Sequence, residues 1–312
     1  MRPRFALFVL LFVSVSVWLF LSTWLQFSSR DFSCVPTRFA DSTSFDVCVW
    51  SDLDDPVVSS SLRHTGVWQV GLAAQISAAL RLFGDNATFV DVGANVGVFS
   101  LLAASLGVKH VVAVEPIAEH VAMLKESIRR NGFDAIRVVG AAASNRSGST
   151  EMFMSLGNRG GSSLLKPEGD STRVQVQLAR LDDVVALERI DVLKVDTEGS
   201  ESCVFAGARS LLPLICLTFL ELWPRSNACG SSDDLLRTLA SSRDVYLSMD
   251  DWILGGAPLS VELLNRGLHD FQSIFGAQVL HDLFLVRRGC VDRPVMPAVT
   301  LPAGLLEKLT ER

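Results

Sequence analysis

The chain has 312 residues, 49% hydrophobic and 20% charged, with a formal net charge of −6 and a mean hydropathy of +0.33. That length carries one large domain with a sizeable core, or two small ones. An acidic balance without a lysine- or arginine-rich block argues against a nucleic-acid surface.

The first predicted element is a membrane anchor. From Phe5 to Phe27 there is no charged side chain, and about 20 apolar residues suffice to cross a bilayer as a helix. No A-x-A-like cleavage site follows, and Trp18, Phe20, Trp24 and Phe27 suit a membrane interface, so an uncleaved transmembrane helix over 5–27 is expected in preference to a signal peptide. Arg2 and Arg4 precede it, which leaves residues 1–4 in the cytoplasm and sends the rest across the membrane. The expected topology is single-pass type II, with the catalytic domain in the lumen of the Golgi or endoplasmic reticulum, or otherwise extracytoplasmic. The sequons at Asn86 ("NAT") and Asn145 ("NRS") agree with a glycoprotein on that side.

Residues 28–60 are polar, with scattered Ser, Asp and Pro, and read as a lumenal stem ahead of one domain over 61–312. Among the six cysteines, Cys34 and Cys48 are the pair expected to bridge, closing a loop in that stem. Cys203 and Cys216 fall in a predicted helix and a predicted buried strand and read as small core thiols.

From Phe89 strands and helices alternate. "TFVDVG" is a strand and "VGVFSLLAASLG" the helix after it. "HVVAVEP" is the second strand, "AEHVAMLKESIRRNG" an amphipathic helix closed by Gly132, and "AIRVVGAAA" the third strand. An irregular stretch over 144–180 contains "STEMFMS", the loop "LGNRGGSSL" and the alternating "TRVQVQLARL". "DVLKVD", "LICLTFLEL", "DVYLSM" and "QVLHDLFLVRR" are further strands, with "SESCVFAGARSLL" and "DDLLRTLASS" as helices between them. Alternation of this kind predicts an α/β fold with a mostly parallel, doubly wound sheet. Ligands in such sheets sit beyond the carboxyl ends of the strands, beside the first strand.

The first strand runs into "DVGANVG". In a dinucleotide fold the second glycine lets the backbone approach a pyrophosphate. Here that position is Asn95, which disfavours NAD or FAD and suits a ligand with a ribose and an amino-acid tail. Gly93 and Gly97 leave room for that tail, although glycines serve tight structural turns equally well. Glu115, about 20 residues past the glycines at the end of the second strand, is placed to accept hydrogen bonds from ribose hydroxyls. "VLKVDTEGSE" puts Asp196, Glu198 and Glu201 after a buried strand. Glu201 reads as complementing the next helix, while Asp196 is the candidate to orient or deprotonate a substrate hydroxyl. Asp196 and Glu198 leave room for a divalent cation, but no metal site is predicted.

"FVDVGANVGVFSLLAA", "VVAVEP", "GGSSL", "RLDDVV", "VLKVDTEGSESCVFAGA" and "FLELWP" follow one another in a way that resembles FkbM-type methyltransferases, over roughly residues 60 to 225. The resemblance implies a Rossmann-like methyltransferase fold and S-adenosyl-L-methionine as cofactor, held by Asp91, Gly93, Asn95, Gly97 and Glu115, with Ala142 and Ala143 near the adenine. "SSLRHTGVWQ" is similar to the segment with which that family closes its cofactor pocket, although Gln69 stands where the family often has an acid. His64, in that segment, joins Asp196 and Glu198 as a catalytic candidate, and Trp68 and Trp223 are candidates to stack on a sugar or on adenine.

The expected function is a membrane-anchored O-methyltransferase acting on a hydroxyl of a glycan or small molecule. The sequence does not set the oligomeric state. The alternative is a methyltransferase-fold scaffold of the secretory pathway, which would bind the cofactor without turnover.

Overall fold

A computed structural model of the chain describes residues 32–39, 44–155, 158–164, 170–223, 226–227, 229–260 and 282–294. The apolar segment 5–27 lies outside them, as do His269 and His281. Among the described residues no helix is long and apolar enough to cross a membrane.

The chain enters through an antiparallel hairpin, β1 (Ser33–Arg38) and β2 (Ser44–Val49). The helices α1 (Val58–Thr65) and α2 (Val70–Arg81) follow. Strand β3 (Thr88–Val92) leads into α3 (Val98–Ser105), β4 (His110–Val114) into α4 (Ala118–Asn131), and then comes β5 (Ile136–Val139). A side sheet interrupts the alternation: β6 (Ala142–Ala143), β7 (Gly148–Ser155) and β8 (Ser171–Ala179). The alternation resumes with α5 (Leu181–Val184), β9 (Ile190–Val195), α6 (Glu201–Ala206) and β10 (Ile215–Glu221). A two-residue pair, β11 (Ser226–Asn227) and β12 (Gly230–Ser231), precedes α7 (Ser232–Ala240), β13 (Arg243–Tyr246), α8 (Met249–Ile253) and β14 (Asp282–Arg287).

Among the described residues the main sheet has seven strands in the order β13-β14-β10-β9-β3-β4-β5. Every pairing is parallel except those of β14 with its two neighbours. Strands β3 and β9 are buried at every position, which is why both read as mostly apolar runs. Phe89, at the sheet centre, is completely buried, and burial of such a side chain is worth roughly 1.5–3 kcal/mol. The chain winds outward from β3 first towards β5 and then, through β9, towards β13. The direction reverses between β3 and β9, and a crevice opens there at the carboxyl ends.

Three expectations need correction. The polar segment read as a stem is folded onto the domain from Phe32 onward: Val47, Cys48 and Val49 are completely buried, and β2 lies against α4. There the Cys48 amide donates to Ser127 Oγ at 2.9 Å and the Asp46 amide to Asn131 Oδ1 at 2.8 Å. Composition concealed this because the short apolar run over 47–50 stands among Ser, Asp, Thr and Pro. The third strand is not continuous. It ends at Val139, and after Gly140 and Ala141 the chain leaves the main sheet so that Ala142 and Ala143 pair with Leu178 and Ala179. The thiols of Cys203 and Cys216 are bridged to Cys229 and Cys290, while Cys34–Cys48 forms as expected. The partners of the two corrected cysteines lie 26 and 74 residues downstream, a distance over which sequence carries no pairing signal.

Candidate active site

At the carboxyl edge β4, β3 and β9 end level, with Val92 opposite both Val114 and Val195. The next residue of each strand, Glu115, Gly93 and Asp196, therefore comes out at one edge. The Gly93 amide donates to the Val114 carbonyl at 2.9 Å and the Asp196 amide to the Val92 carbonyl at 3.0 Å. A side chain at position 93 would put its Cβ 1.7 Å from the Asp196 carbonyl oxygen, and Gly93 has φ +78°. Glycine is required there because the loop after β3 crosses the end of β9 at backbone contact.

Glu115 is buried and braces the loop. Its Oε2 accepts from the Asn95 amide at 2.9 Å, and its Oε1 from the Ile117 amide at 2.9 Å and from His120 Nδ1 at 3.3 Å. A carboxylate has about four acceptor sites, so one remains for a ligand hydroxyl. Asn95 sits at φ +52°, with its Oδ1 turned onto the Val96 amide at 2.8 Å. Glu198, at φ +53°, is the other non-glycine residue of the site in this conformation, which costs about 1–3 kcal/mol and clusters at functional sites.

These residues open onto a cleft of about 590 Å³, open solvent included. Gly93, Asn95, Glu115, Ala142, Ala143, Asp196 and Glu198 line it. Its far wall is built by the side sheet and the "GGSSL" loop, through Met152, Arg159, Gly160, Ser162 and Leu164. That loop is pinned to the loop after β9 by Ser163 Oγ, which donates to the Glu198 carbonyl at 2.7 Å. Arg159 stacks 4.1 Å from the Trp50 ring centroid and reaches Asp54 Oδ1 at 3.0 Å, so the amino-terminal segment also supports the cleft.

Two cofactor candidates do not line the cleft. Asp91 is completely buried beneath the loop, accepting from Ser100 Oγ at 2.7 Å and lying 3.6 Å from Lys194 Nζ. Gly97 packs against α4, where a Cβ would stand 2.2 Å from Leu124 Cδ1. Both shape the loop from behind. His64 is exposed, pairs with Asp52 at 2.9 Å, and does not line the cleft. Trp68 packs on the core, and neither it nor Trp223 lines the cleft. Glu201 does what was expected of a helix-start carboxylate: its Oε1 accepts from the Gly199 amide at 2.9 Å and from Thr197 Oγ1 at 3.1 Å.

Two important residues escaped the sequence reading. His120 is buried, lines the cleft and lies edge-on to Trp50. Its Nε2 has no protein partner among the described residues, so it is a donor or acceptor available to a ligand. Its signal was its place five residues past Glu115, in the first turn of α4. Lys194, whose side chain is 4% exposed, donates to Asp196 Oδ2 and to the Gly93 carbonyl, both at 3.3 Å. Burial works against its charge, but Asp196 and Asp91 outweigh burial and raise the ammonium above its usual value. It therefore stays charged and holds Asp196 in place.

The site fits a cofactor with a ribose and an uncharged base better than a pyrophosphate, because Asn95 and the carboxylates of Glu115, Asp196 and Glu198 crowd the loop and no glycine stands at position 95. Among the described residues no cluster of His, Cys, Asp and Glu could hold a metal ion.

Residues 91–243 match the model of the methyltransferase FkbM domain. Among solved structures the chain is similar to methyltransferase FkbM from Methylobacillus flagellatus KT, at 17% identity and a TM-score of 0.36, over 65% of this chain and 44% of that one. It is also similar to precorrin-6y C5,15-methyltransferase from Geobacter metallireducens GS-15, at 15% identity and 0.31, over 49% of this chain and 62% of that one. An rRNA methylase from Streptococcus thermophilus aligns at 10% identity and 0.38, over 70% and 94%. The chain thus spans less than two thirds of the first two structures it matches. No curated protein matches it. Residues 91–243, just under half of the chain, thus carry a methyltransferase FkbM domain.

Proposed function

We propose that the chain methylates a hydroxyl oxygen of a glycan or small-molecule acceptor, on the extracytoplasmic side of a membrane to which residues 5–27 anchor it. One observation carries the chemistry: Glu115 and Asp196 flank Gly93 at the carboxyl edge and face the same cleft. When bound, S-adenosylmethionine would supply a sulfonium-activated methyl group for an oxygen nucleophile to take up, with S-adenosylhomocysteine as the leaving group. Glu115, Asn95, His120 and the Ala142–Ala143 pair are the residues to hold that cofactor, with the remaining acceptor capacity of Glu115 for its ribose. Asp196, fixed by Lys194, is the group to orient the acceptor hydroxyl and take its proton. The side of the membrane is supported by the cysteines, since all six are paired and such bridges persist in oxidising compartments.

Calorimetry on the full chain tests the cofactor reading. S-adenosylhomocysteine is expected to bind and NAD to bind far more weakly; tighter binding of NAD would sink it. Glu115→Gln keeps the shape and part of the hydrogen bonding but loses the charge, and should weaken cofactor binding by about 1.5–3 kcal/mol.

A further inference from the structure

Among the described residues the cleft is lined by three carboxylates, Glu115, Asp196 and Glu198, and by a single arginine or lysine, Arg159. Lys194 is engaged by the Gly93 carbonyl and by Asp196 and does not line the cleft. The loop after β3 suits a ligand with a ribose and an amino-acid tail, and such a tail ends in a carboxylate of its own. Entering a cleft with these walls, that carboxylate has one guanidinium to meet.

Arg159 is held ready for that contact. Its guanidinium lies 4.1 Å from the centroid of the Trp50 ring. Nε donates to the Asp54 carbonyl at 3.1 Å, Nη2 to Asp54 Oδ1 at 3.0 Å, and Nη1 reaches Met154 Sδ at 3.7 Å. A guanidinium has five N–H donors, so these contacts leave one on each Nη, the number a carboxylate takes in a bidentate pair. The supports are themselves fixed. Ser51 Oγ donates to Asp54 Oδ2 at 2.7 Å, the Trp50 amide donates to Ser59 Oγ at 3.1 Å, and the Trp50 carbonyl accepts from Arg63 Nε at 2.8 Å. Trp50 and Asp54 lie outside the matched residues 91–243, so the segment ahead of the domain fixes this group. Gly160, the next residue, stands against Asn95, where a Cβ would come 2.9 Å from Asn95 Nδ2. Arg159 therefore sits on the side of the cleft that borders the loop after β3.

We propose that Arg159 recognises the carboxylate of the cofactor's amino-acid tail, and that Trp50 is the positioning residue that presents its guanidinium. A planar fork already held in place loses little freedom on forming such a pair. The proposal rests on the cofactor reading of the cleft, so the test separates the two. An Arg159 that only props the wall would, when lost, weaken every ligand of the cleft alike. An Arg159 that reads the carboxylate weakens only a ligand that carries one.

The probes are S-adenosylhomocysteine and its decarboxylated counterpart, which keeps the adenosine, the thioether and the amine and lacks only the carboxylate. Each is titrated calorimetrically into the full chain in a polyoxyethylene detergent. Wild type should bind S-adenosylhomocysteine at least about tenfold more tightly than the decarboxylated compound, a difference of roughly 1.4 kcal/mol. Arg159→Gln should shrink that preference to about threefold or less and leave affinity for the decarboxylated compound within about twofold of wild type. Trp50→Leu should shrink the preference in the same way, and Trp50→Phe, which keeps a ring beneath the guanidinium, should retain it. Melting temperatures show which variants are folded, and the wild-type comparison needs no variant at all. A wild type without the preference, an Arg159→Gln protein that keeps it, or equal losses for both compounds overturns the proposal. A folded Trp50→Leu protein with the full preference overturns the role of Trp50. Failure of wild type to bind either compound overturns the cofactor reading instead.

Discussion

At the residue scale the site is a set of carboxylates given different tasks by their surroundings. Glu115 is spent largely on the backbone of the loop it braces, Glu201 on the turn before α6, and Asp196 on Lys194. Asp196 was legible in the sequence because it follows a continuous apolar strand. Glu221 was not, although "FLELWP" contains it. Burial and its acidic neighbours push its carboxyl up to about 9, and one of them, Asp282, 61 positions on in the chain, is brought opposite it only by the pairing of β14. The place of His64 outside the cleft was not legible, because a segment similar to a pocket-closing one carries no information on which way a helical side chain points.

Two predictions belong here. Asp196→Asn should leave cofactor affinity nearly intact and lower turnover by about 10²–10⁴, the range of a positioned general base. Unchanged turnover would reduce Asp196 to a role in holding the loop. For Glu221 the sign follows from linkage: its folded value, about 9, exceeds its unfolded one, so between them the folded state holds the extra proton and stability falls as pH rises. The window runs from the ordinary carboxyl range up to about 9. Glu221→Gln should remove this slope, so that its melting temperature gains on wild type more at pH 8 than at pH 5. A constant difference across that range would show that Glu221 ionises normally.

At the element scale the loop between β3 and α3 is set by backbone collisions rather than by a ligand. Gly93→Ala would force a Cβ into the Asp196 carbonyl at a φ unsuited to it, and should cost about 1–3 kcal/mol together with cofactor binding. Gly71→Ala is the contrast: it sits in α2 with open space around its Cβ, and should be neutral or stabilising by about 0.4–1 kcal/mol. Thermal melts of the two variants check this, and equal effects would contradict the packing argument. The sequence pattern singled out Gly93 but not the collision that fixes it, since the Asp196 carbonyl lies about 100 positions away. The same limit hid the break after Val139. "AIRVVGAAA" has strand propensity throughout, and only the side-sheet partner β8 draws Ala142 and Ala143 out of the main sheet, which places them against the cleft.

At the scale of the whole molecule the parallel sheet was legible because its strands are buried on both faces, whereas the disulfide framework was legible only where its partners lie close in sequence. The framework closes sequence separations of 14, 26 and 74 residues. Chain-entropy arguments give a 15-residue loop roughly 3 kcal/mol and a 100-residue loop about 4.7. Several kcal/mol of this fold are therefore lost in a reducing compartment, against a total of about 5–15 kcal/mol for a typical domain. The bridge between Cys216 and Cys290 matters most, because it closes the longest of the three loops and ties β10 to the chain just after β14. If the domain lies on the oxidising side, the protein isolated from membranes under alkylating conditions should carry no alkylated cysteine without reductant and six after reduction and unfolding. Asn86 and Asn145 are both exposed, so in a glycosylating host glycosidase treatment should shift the mobility, and Asn86→Gln should remove part of that shift. In sealed vesicles the domain should resist protease until detergent is added. Six alkylated thiols in the native protein, together with digestion of the domain without detergent, would place it in the cytosol and overturn the topology drawn from Arg2, Arg4 and the apolar run after them.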